Sequence, residues 1–260
     1  KIYQQVLQTD PDQPVALHLI GVIAHQVGDN NRAVDLIKKA LTIKPDFAEA
    51  HSNLGTSLRE LGRPEEAVES YHKAIAIKPD NAEAHSNLGN ALKELGRLEE
   101  AVESYHMATA IKPDYAKAYN NLGNALQDLG RLEEAVASYH KAIEIKPDFA
   151  EAYCNRGMLH YKQERLDLAE ADFKKTLELS PNMQAGQVAR EMIEKLESMV
   201  SPLTITTADA PDLALQPDAG GVTFNVSEDL KLELPETLTL DDGDSGAEEL
   251  SLTLADEDES

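Results

Sequence analysis

The sequence predicts an all-α protein, a right-handed solenoid of antiparallel helix pairs with a disordered acidic C-terminal tail. Three observations lead to this prediction. Proline recurs at an interval of 34 residues, at Pro11, Pro45, Pro79, Pro113, Pro147 and Pro181. The segment 48–81 is identical to the segment 82–115 at 27 of 34 positions. The composition then changes abruptly after residue 200. A long period with helical spacing of apolar residues is typical of solenoids, in which each repeat packs only on its neighbours.

Each repeat is predicted to contain two helices, as the segment 48–81 illustrates. Apolar residues fall every three or four positions from Ala48 to Leu61, which places them on one face of a helix. Gly62 is suited to a left-handed cap at the end of this helix. Pro64 is suited to the first turn of the next helix, which Pro79 ends because proline cannot donate a backbone hydrogen bond.

Small and bulky residues recur in fixed columns, which indicates close packing between the two helices. The pattern runs through Leu54, Gly55, Leu58, Ala67, Tyr71, Ala74 and Pro79. It resembles the tetratricopeptide repeat family over residues 1 to about 200. Two columns depart from the family: His51 and His85 occupy a position where Trp or Tyr is frequent, and Arg156 and His160 replace leucines in the last copy.

The period divides the chain into parts. Five full repeats are predicted at 14–47, 48–81, 82–115, 116–149 and 150–183. Residues 1–13 are interpreted as the end of a truncated preceding repeat, so we expect the chain to start inside a repeat. Residues 184–200 are predicted to form a capping helix, which covers the apolar face of the last repeat.

Residues 201–260 have a different composition. They contain 16 acidic residues and one basic residue, a net charge of −15, which leaves −8 of the total −23 for residues 1–200. Such a segment buries too little apolar surface to offset the entropy of ordering, so it is predicted to be disordered. Short runs with alternating apolar residues remain at 222–226, 230–234 and 250–254, and they favour either transient extended structure or strand addition to a partner.

The sequence argues against several functions. An acidic chain is unsuited to nucleic acid, and no run of about 20 apolar residues could span a membrane. Histidines recur 34 residues apart, and packed helices would place equivalent copies about 8–10 Å apart, too far to share a metal ion whose ligands lie about 2 Å away. The sequence also shows no nucleophile with a partnered base. We therefore expect no enzyme activity, cofactor or metal. The single Cys154 excludes an internal disulfide and agrees with a cytoplasmic location, and its position on the asparagine-bearing helix face allows either a reactive thiol or a small filler.

The predicted functional residues are asparagines in the first helix of successive repeats. One column contains Asn53, Asn87, Asn121 and Asn155, and a second contains Asn90 and Asn124. Asparagine is a poor helix former, so a ladder of primary amides indicates another role. An amide can pair with the C=O and the N–H of a peptide unit together. Alternatively, the amides bridge adjacent repeats or were copied by duplication.

The asparagine columns also resemble the repeats of O-linked N-acetylglucosamine transferase, which implies a concave groove that holds polypeptides through their backbone. Arg59, Lys93 and Lys117 are predicted to line the same groove among acidic neighbours. In the first repeat His18, Leu19 and Val22 replace the asparagines and their neighbours, so an apolar patch is expected there. Ser52, Ser86, Asn120 and Cys154 stand where repeats that clamp chaperone C-termini carry lysine, which argues against that function.

Two functions remain open from the sequence. The first is a scaffold that binds one or more proteins as extended peptides, with an oligomeric state that the sequence does not fix. The second is the substrate-recognition arm of a larger glycosyltransferase or sulfotransferase whose catalytic domain lies outside this chain.

Overall fold

The computed structural model describes residues 9–200, and the part it describes is entirely helical. Eleven helices lie within this range: α1 (Pro14–Gln26), α2 (Asn30–Ile43), α3 (Ala48–Glu60), α4 (Pro64–Ile77), α5 (Ala82–Glu94), α6 (Leu98–Ile111), α7 (Ala116–Asp128), α8 (Leu132–Ile145), α9 (Ala150–Lys162), α10 (Leu166–Leu179) and α11 (Gln184–Val200). The predicted fold class is confirmed. The predictions for residues 1–8 and for the acidic tail lie outside the described residues.

The odd-numbered and even-numbered helices occupy different sides of the solenoid. Each helix from α1 to α10 packs on its neighbours in sequence, and each odd-numbered helix also contacts the next odd-numbered one. The even-numbered helices make no such contact with one another within residues 9–200. The odd-numbered helices are therefore closer together and line the concave side, which we call the groove. The even-numbered helices form the convex side.

The two helices of a repeat approach each other closely at a glycine and an aromatic ring. A Cβ atom at Gly55 would lie 2.8 Å from ring atoms of Tyr71, which is too close for any real side chain. Gly89, Gly123 and Gly157 meet the corresponding rings of the next three repeats in the same way. These rings are fully buried, and alanines on either side of them are buried as well, including Ala67 and Ala74.

The turn between the two helices of a repeat uses a left-handed residue. Gly62 has a φ of +71°, which confirms the predicted cap, and Gly28, Gly96 and Gly130 have similar values. The last repeat departs from this rule because Glu164 occupies the same place with a φ of 59°. A side chain in this conformation costs about 1 kcal/mol that glycine avoids.

The last repeat is covered by α11. Ala189 and Leu196 of α11 are buried against Ala169 and Phe173 of α10. Backbone at Ser180 approaches Gly186 so closely that a Cβ there would collide with it. This close contact holds the start of α11 against the end of α10.

We expect Glu164→Gly to raise the free energy of unfolding of the last repeat by about 1 kcal/mol, because it removes left-handed strain at an exposed turn. Urea unfolding followed by circular dichroism, with amide exchange of α9 and α10, measures this change. Gly130→Glu is the matched control and should destabilise the fourth repeat. An unchanged or lowered midpoint for Glu164→Gly would show that the turn is unstrained.

Candidate functional site: the concave groove

The four asparagines of the first column lie on successive odd-numbered helices, one in each repeat from the second to the fifth. We call Asn53, Asn87, Asn121 and Asn155 the asparagine ladder. Each one is half-buried, and in three of the four the next residue along the helix is a leucine buried in the core. Leu54, for example, is 6% exposed. The ladder therefore lies at the base of the groove, within reach of a ligand.

Three rungs of the ladder are tied to the preceding repeat. Asn53 Nδ2 lies 2.8 Å from His18 Nε2, and Asn121 Nδ2 donates to Asn90 Oδ1 at 3.0 Å. Asn155 Nδ2 donates to Asn120 Oδ1 at 3.0 Å. Among the described residues, Asn87 has no side-chain hydrogen bond. The tied amides retain their carbonyl oxygens and one N–H each, so they can still pair with another group.

The second asparagine column is linked to the core. Tyr105 Oη donates to Asn90 Oδ1 at 2.8 Å, and Tyr139 Oη donates to Asn124 Oδ1 at 2.7 Å. Burial raises the pKa of both tyrosines, so their hydroxyls stay protonated and remain donors. Asn90 Oδ1 accepts two hydrogen bonds, one of them from Asn121, and Asn124 Oδ1 accepts one, so both amides keep their N–H groups for a ligand.

Two of the three predicted basic groove residues are paired across repeats. Arg59 Nε lies 3.7 Å from Glu94 Oε1, and Lys93 Nζ lies 3.2 Å from Asp128 Oδ2. Lys117 is exposed and has no ion pair with any residue from 9 to 200. Glu49, Glu83 and Glu151, on helices of the asparagine ladder, also have no ion pair within residues 9–200, so the groove presents unpaired charges of both signs beside its uncharged amides.

Three histidines have structural roles beside the groove. His51 Nε2 lies 2.9 Å from the carbonyl oxygen of Pro45, and His85 Nε2 lies 3.0 Å from that of Pro79. Each ring thus joins its helix to the end of the preceding repeat. His18 is buried, and because an amide nitrogen can only donate, its Nε2 must accept from Asn53. His18 is therefore neutral in this arrangement.

Cys154 does not behave as a reactive thiol. It is 7% exposed and beneath α11, where its Sγ donates to the carbonyl oxygen of Ala185 at 3.8 Å. Burial raises its pKa to about 11, so the thiolate is scarce at neutral pH. The side chain fills a small space under the cap. Within residues 9–200 no cluster of His, Cys, Asp and Glu could hold a metal ion, and no helix is long and apolar enough to cross a bilayer.

The partners of the ladder were not predictable from the columns alone. His18 and Asn120 serve as acceptors, which agrees with the alternative that the amides bridge adjacent repeats, although the sequence did not identify the acceptors. The signal was present, since both residues stand in the column preceding the ladder. Their pairing, however, depends on the rotation between adjacent repeats, which no single-repeat pattern describes.

Comparison with protein families covers all five predicted repeats. Models described as "TPR repeat" match residues 55–96, 89–130 and 123–164. Models described as "Tetratricopeptide repeat" match residues 14–47, 36–69 and 150–183. No curated protein matched the chain.

Several solved structures share the fold. A crystal structure of MamA is 32% identical, covers 62% of this chain and 95% of its own, and has a TM-score of 0.58. The structure of YrrB, described as a TPR protein with an unusual peptide-binding site, is 20% identical over 74% of this chain and 98% of its own, with a TM-score of 0.59. PilF from Pseudomonas aeruginosa is 22% identical over 75% of this chain and 94% of its own, with a TM-score of 0.61.

The His18–Asn53 pair predicts a pH dependence of stability. Burial lowers the pKa of His18, an effect that the Glu49 carboxylate opposes. The unfolded chain then binds a proton more tightly than the folded chain. The contribution of neutral His18 to the free energy of unfolding is therefore complete above the unfolded pKa of about 6.5. It is lost as the pH falls from that value through the lower pKa of the folded protein.

We expect His18→Gln to flatten this dependence, because glutamine can accept from Asn53 and does not titrate. Urea unfolding at pH 8 and at pH 5.5 compares the two proteins. The loss of stability between these pH values should be smaller in the variant, and an equal loss would mean that His18 does not titrate differently on folding.

Proposed function

Because the chain belongs to the tetratricopeptide repeat family, we propose that its groove binds an extended polypeptide through the asparagine ladder. The observation that carries the proposal is the state of the ladder amides. Three are held by hydrogen bonds to the preceding repeat, yet each keeps an unused carbonyl oxygen and an unused N–H. Fixed amides with free hydrogen-bonding groups lose little entropy when a ligand binds.

The spacing of the ladder suits an extended chain. Neighbouring packed helices are separated by about 8–10 Å, and an extended backbone advances about 3.3 Å per residue. About three residues of a ligand would therefore pass each repeat. A peptide unit with a free C=O and N–H could meet an amide at each step, and its side chains would contribute less to recognition than its backbone.

Other observations support a polypeptide ligand. Tetratricopeptide repeat proteins are protein-interaction scaffolds, and YrrB is described as having a peptide-binding site. Leu19 and Val22 provide an apolar, half-buried surface in the first repeat, where the ladder ends. An apolar ligand side chain at that end would fix the direction in which the peptide runs.

The role of substrate-recognition arm receives no support from the matches, which concern the repeats alone. We infer that the chain acts as a scaffold without chemistry of its own. Its single cysteine is buried and a poor thiolate, which suits a reducing compartment such as the cytoplasm.

Asn87→Ala should weaken peptide binding without affecting the fold, because Asn87 has no side-chain hydrogen bond to the described residues. A 12-residue peptide selected from a random displayed library on the full chain serves as the probe. Fluorescence anisotropy should show Kd rising roughly fivefold, equivalent to about 1 kcal/mol for one hydrogen bond.

Glu103→Ala is the matched control for Asn87→Ala, since Glu103 is exposed on the second helix of the same repeat. It should leave Kd unchanged. The quadruple replacement of the asparagine ladder by alanine should abolish detectable binding while helicity persists. Failure to select any peptide, or equal binding by Asn87→Ala, would contradict the proposal.

Recognition through the backbone gives a second expectation. Methylating single backbone nitrogens of the selected peptide removes N–H donors without changing its side chains. At ladder positions, about every third residue, each methylation should weaken binding more than an alanine substitution at the same residue. The opposite ranking, measured by the same anisotropy assay, would show that side chains dominate recognition.

A further inference from the structure

The convex side carries a regular ion pair at the start of each second helix. Arg63, Arg97 and Arg131 each bind the glutamate three residues later, at Glu66, Glu100 and Glu134, through two parallel hydrogen bonds. The preceding repeat adds a further group: Lys38 Nζ lies 3.9 Å from Glu66 Oε2. In three consecutive repeats, therefore, a glutamate carboxylate forms an ion pair with the arginine of its own repeat.

The fifth repeat keeps the arginine and lacks the carboxylate. Arg165 occupies the arginine column, and Leu168 replaces the glutamate. Arg165 is exposed and has no ion pair or side-chain hydrogen bond with the residues that the structure describes. Leu168 is 51% exposed, which is unusual for a leucine beside a core. An unpaired guanidinium and an uncovered apolar side chain thus lie one helical turn apart.

A cavity lies at the same boundary. It has a volume of about 530 Å³ and lies between α8 and α10, with α9 beneath it. Val136 and Ala137 of α8 and Leu168 and Ala171 of α10 form its apolar walls. Because the backbones of the even-numbered helices do not pack against one another in residues 9–200, this gap opens to the convex surface. Its size is within the range of sites that hold small organic groups.

The floor of the cavity is polar and rigid. Arg156 binds Asp172 through hydrogen bonds of 2.8 and 2.7 Å, and both side chains are buried, at 17% and 7% exposure. Arg156 Nη1 also lies 3.2 Å from His140 Nδ1. These bonds use three of the five N–H groups of the guanidinium and pair its charge with Asp172, so Arg156 is held in place beneath the cavity. Arg165 remains the available cation.

One polar atom of the floor has no partner. His160 lines the cavity with a side chain that is 8% exposed, and its Nδ1 has no hydrogen-bond partner among the described residues. A buried polar atom without a partner is costly, and the backbone of a bound segment, which carries an N–H and a C=O at each residue, could supply the partner that an apolar side chain cannot.

We propose that the convex surface formed by Arg165, Leu168 and the cavity between α8 and α10 is a second binding site, for a partner protein that presents a carboxylate beside an apolar side chain. The carboxylate takes the place that glutamate holds in the three preceding repeats. The apolar side chain enters the cavity against Val136 and Leu168. This surface is on the opposite side from the groove and does not depend on the function proposed for the groove.

Charge complementarity selects this occupant over other partners. The nearest repeats show that an arginine in this column binds a carboxylate bidentately whenever one is present. Glu133 and Asp172 also line the cavity, so its interior disfavours a second carboxylate and its apolar walls favour an apolar side chain there, while the ligand carboxylate stays outside at Arg165. A single carboxylate next to an aromatic or aliphatic side chain satisfies both features.

Two blocked dipeptides test the proposal on the isotopically labelled full chain by nuclear magnetic resonance. N-acetyl-phenylalanyl-glutamate amide is the probe, and the glutamine analogue, which lacks only the charge, is its control. The glutamate probe should shift the amide signals of Arg165, Leu168 and Ala137 and bind about twofold to fivefold more tightly than the control, as expected for one exposed ion pair.

Leu168→Glu is the decisive variant. It restores the ion pair of the three preceding repeats, so it should fold, and it should abolish the preference for the charged probe because Arg165 is then paired within the chain. Arg165→Gln should abolish the preference without adding a carboxylate. Equal binding of both dipeptides to the wild type, no binding of either, or an unchanged preference in both variants would overturn the proposal.

Discussion

The structure depends on a close contact between the two helices of each repeat, made by a glycine and a bulky side chain, which is Ile37 in the first repeat and an aromatic ring in the other four. Gly55 and Tyr71 show why: a Cβ at the glycine would overlap the ring, so the two helices can come this close only without one. The contact fixes the distance between the helices. It also places the tyrosine hydroxyl at the groove. Tyr105 and Tyr139 reach Asn90 and Asn124 there, so packing in the core positions amides on the surface.

The asparagine ladder has a structural role between repeats in addition to its proposed role in binding. Asn121 and Asn155 fix the register of neighbouring repeats by hydrogen bonds of 3.0 Å, and they also line the proposed peptide path. The two roles are compatible because a primary amide has two N–H groups and an oxygen with two lone pairs. One bond to a neighbouring repeat restricts the amide to one orientation and leaves most of its capacity for a ligand.

Much of the fold was predictable from sequence, because 34-residue repetition, helical spacing and proline positions each constrain the same helices. The left-handed cap at Gly62 followed from local chemistry alone. The pairing of Arg156 with Asp172 did not, since these residues are 16 positions apart and belong to different helices. A leucine-to-arginine change in a core column signals only that a partner must exist. Likewise, nothing local predicts that Glu164 adopts a conformation that glycine holds in the other repeats.

Because each repeat contacts only the adjacent repeats, the number of repeats can change without altering the contacts inside any one of them. The second, third and fourth repeats each have their own glycine, aromatic ring, left-handed glycine cap and ladder asparagine, and each contacts only the repeats on either side. Inserting another copy of 82–115 would therefore lengthen the groove by a fixed step and leave both ends as they are. Under the proposed function, the number of repeats would set the length of polypeptide that the groove can hold.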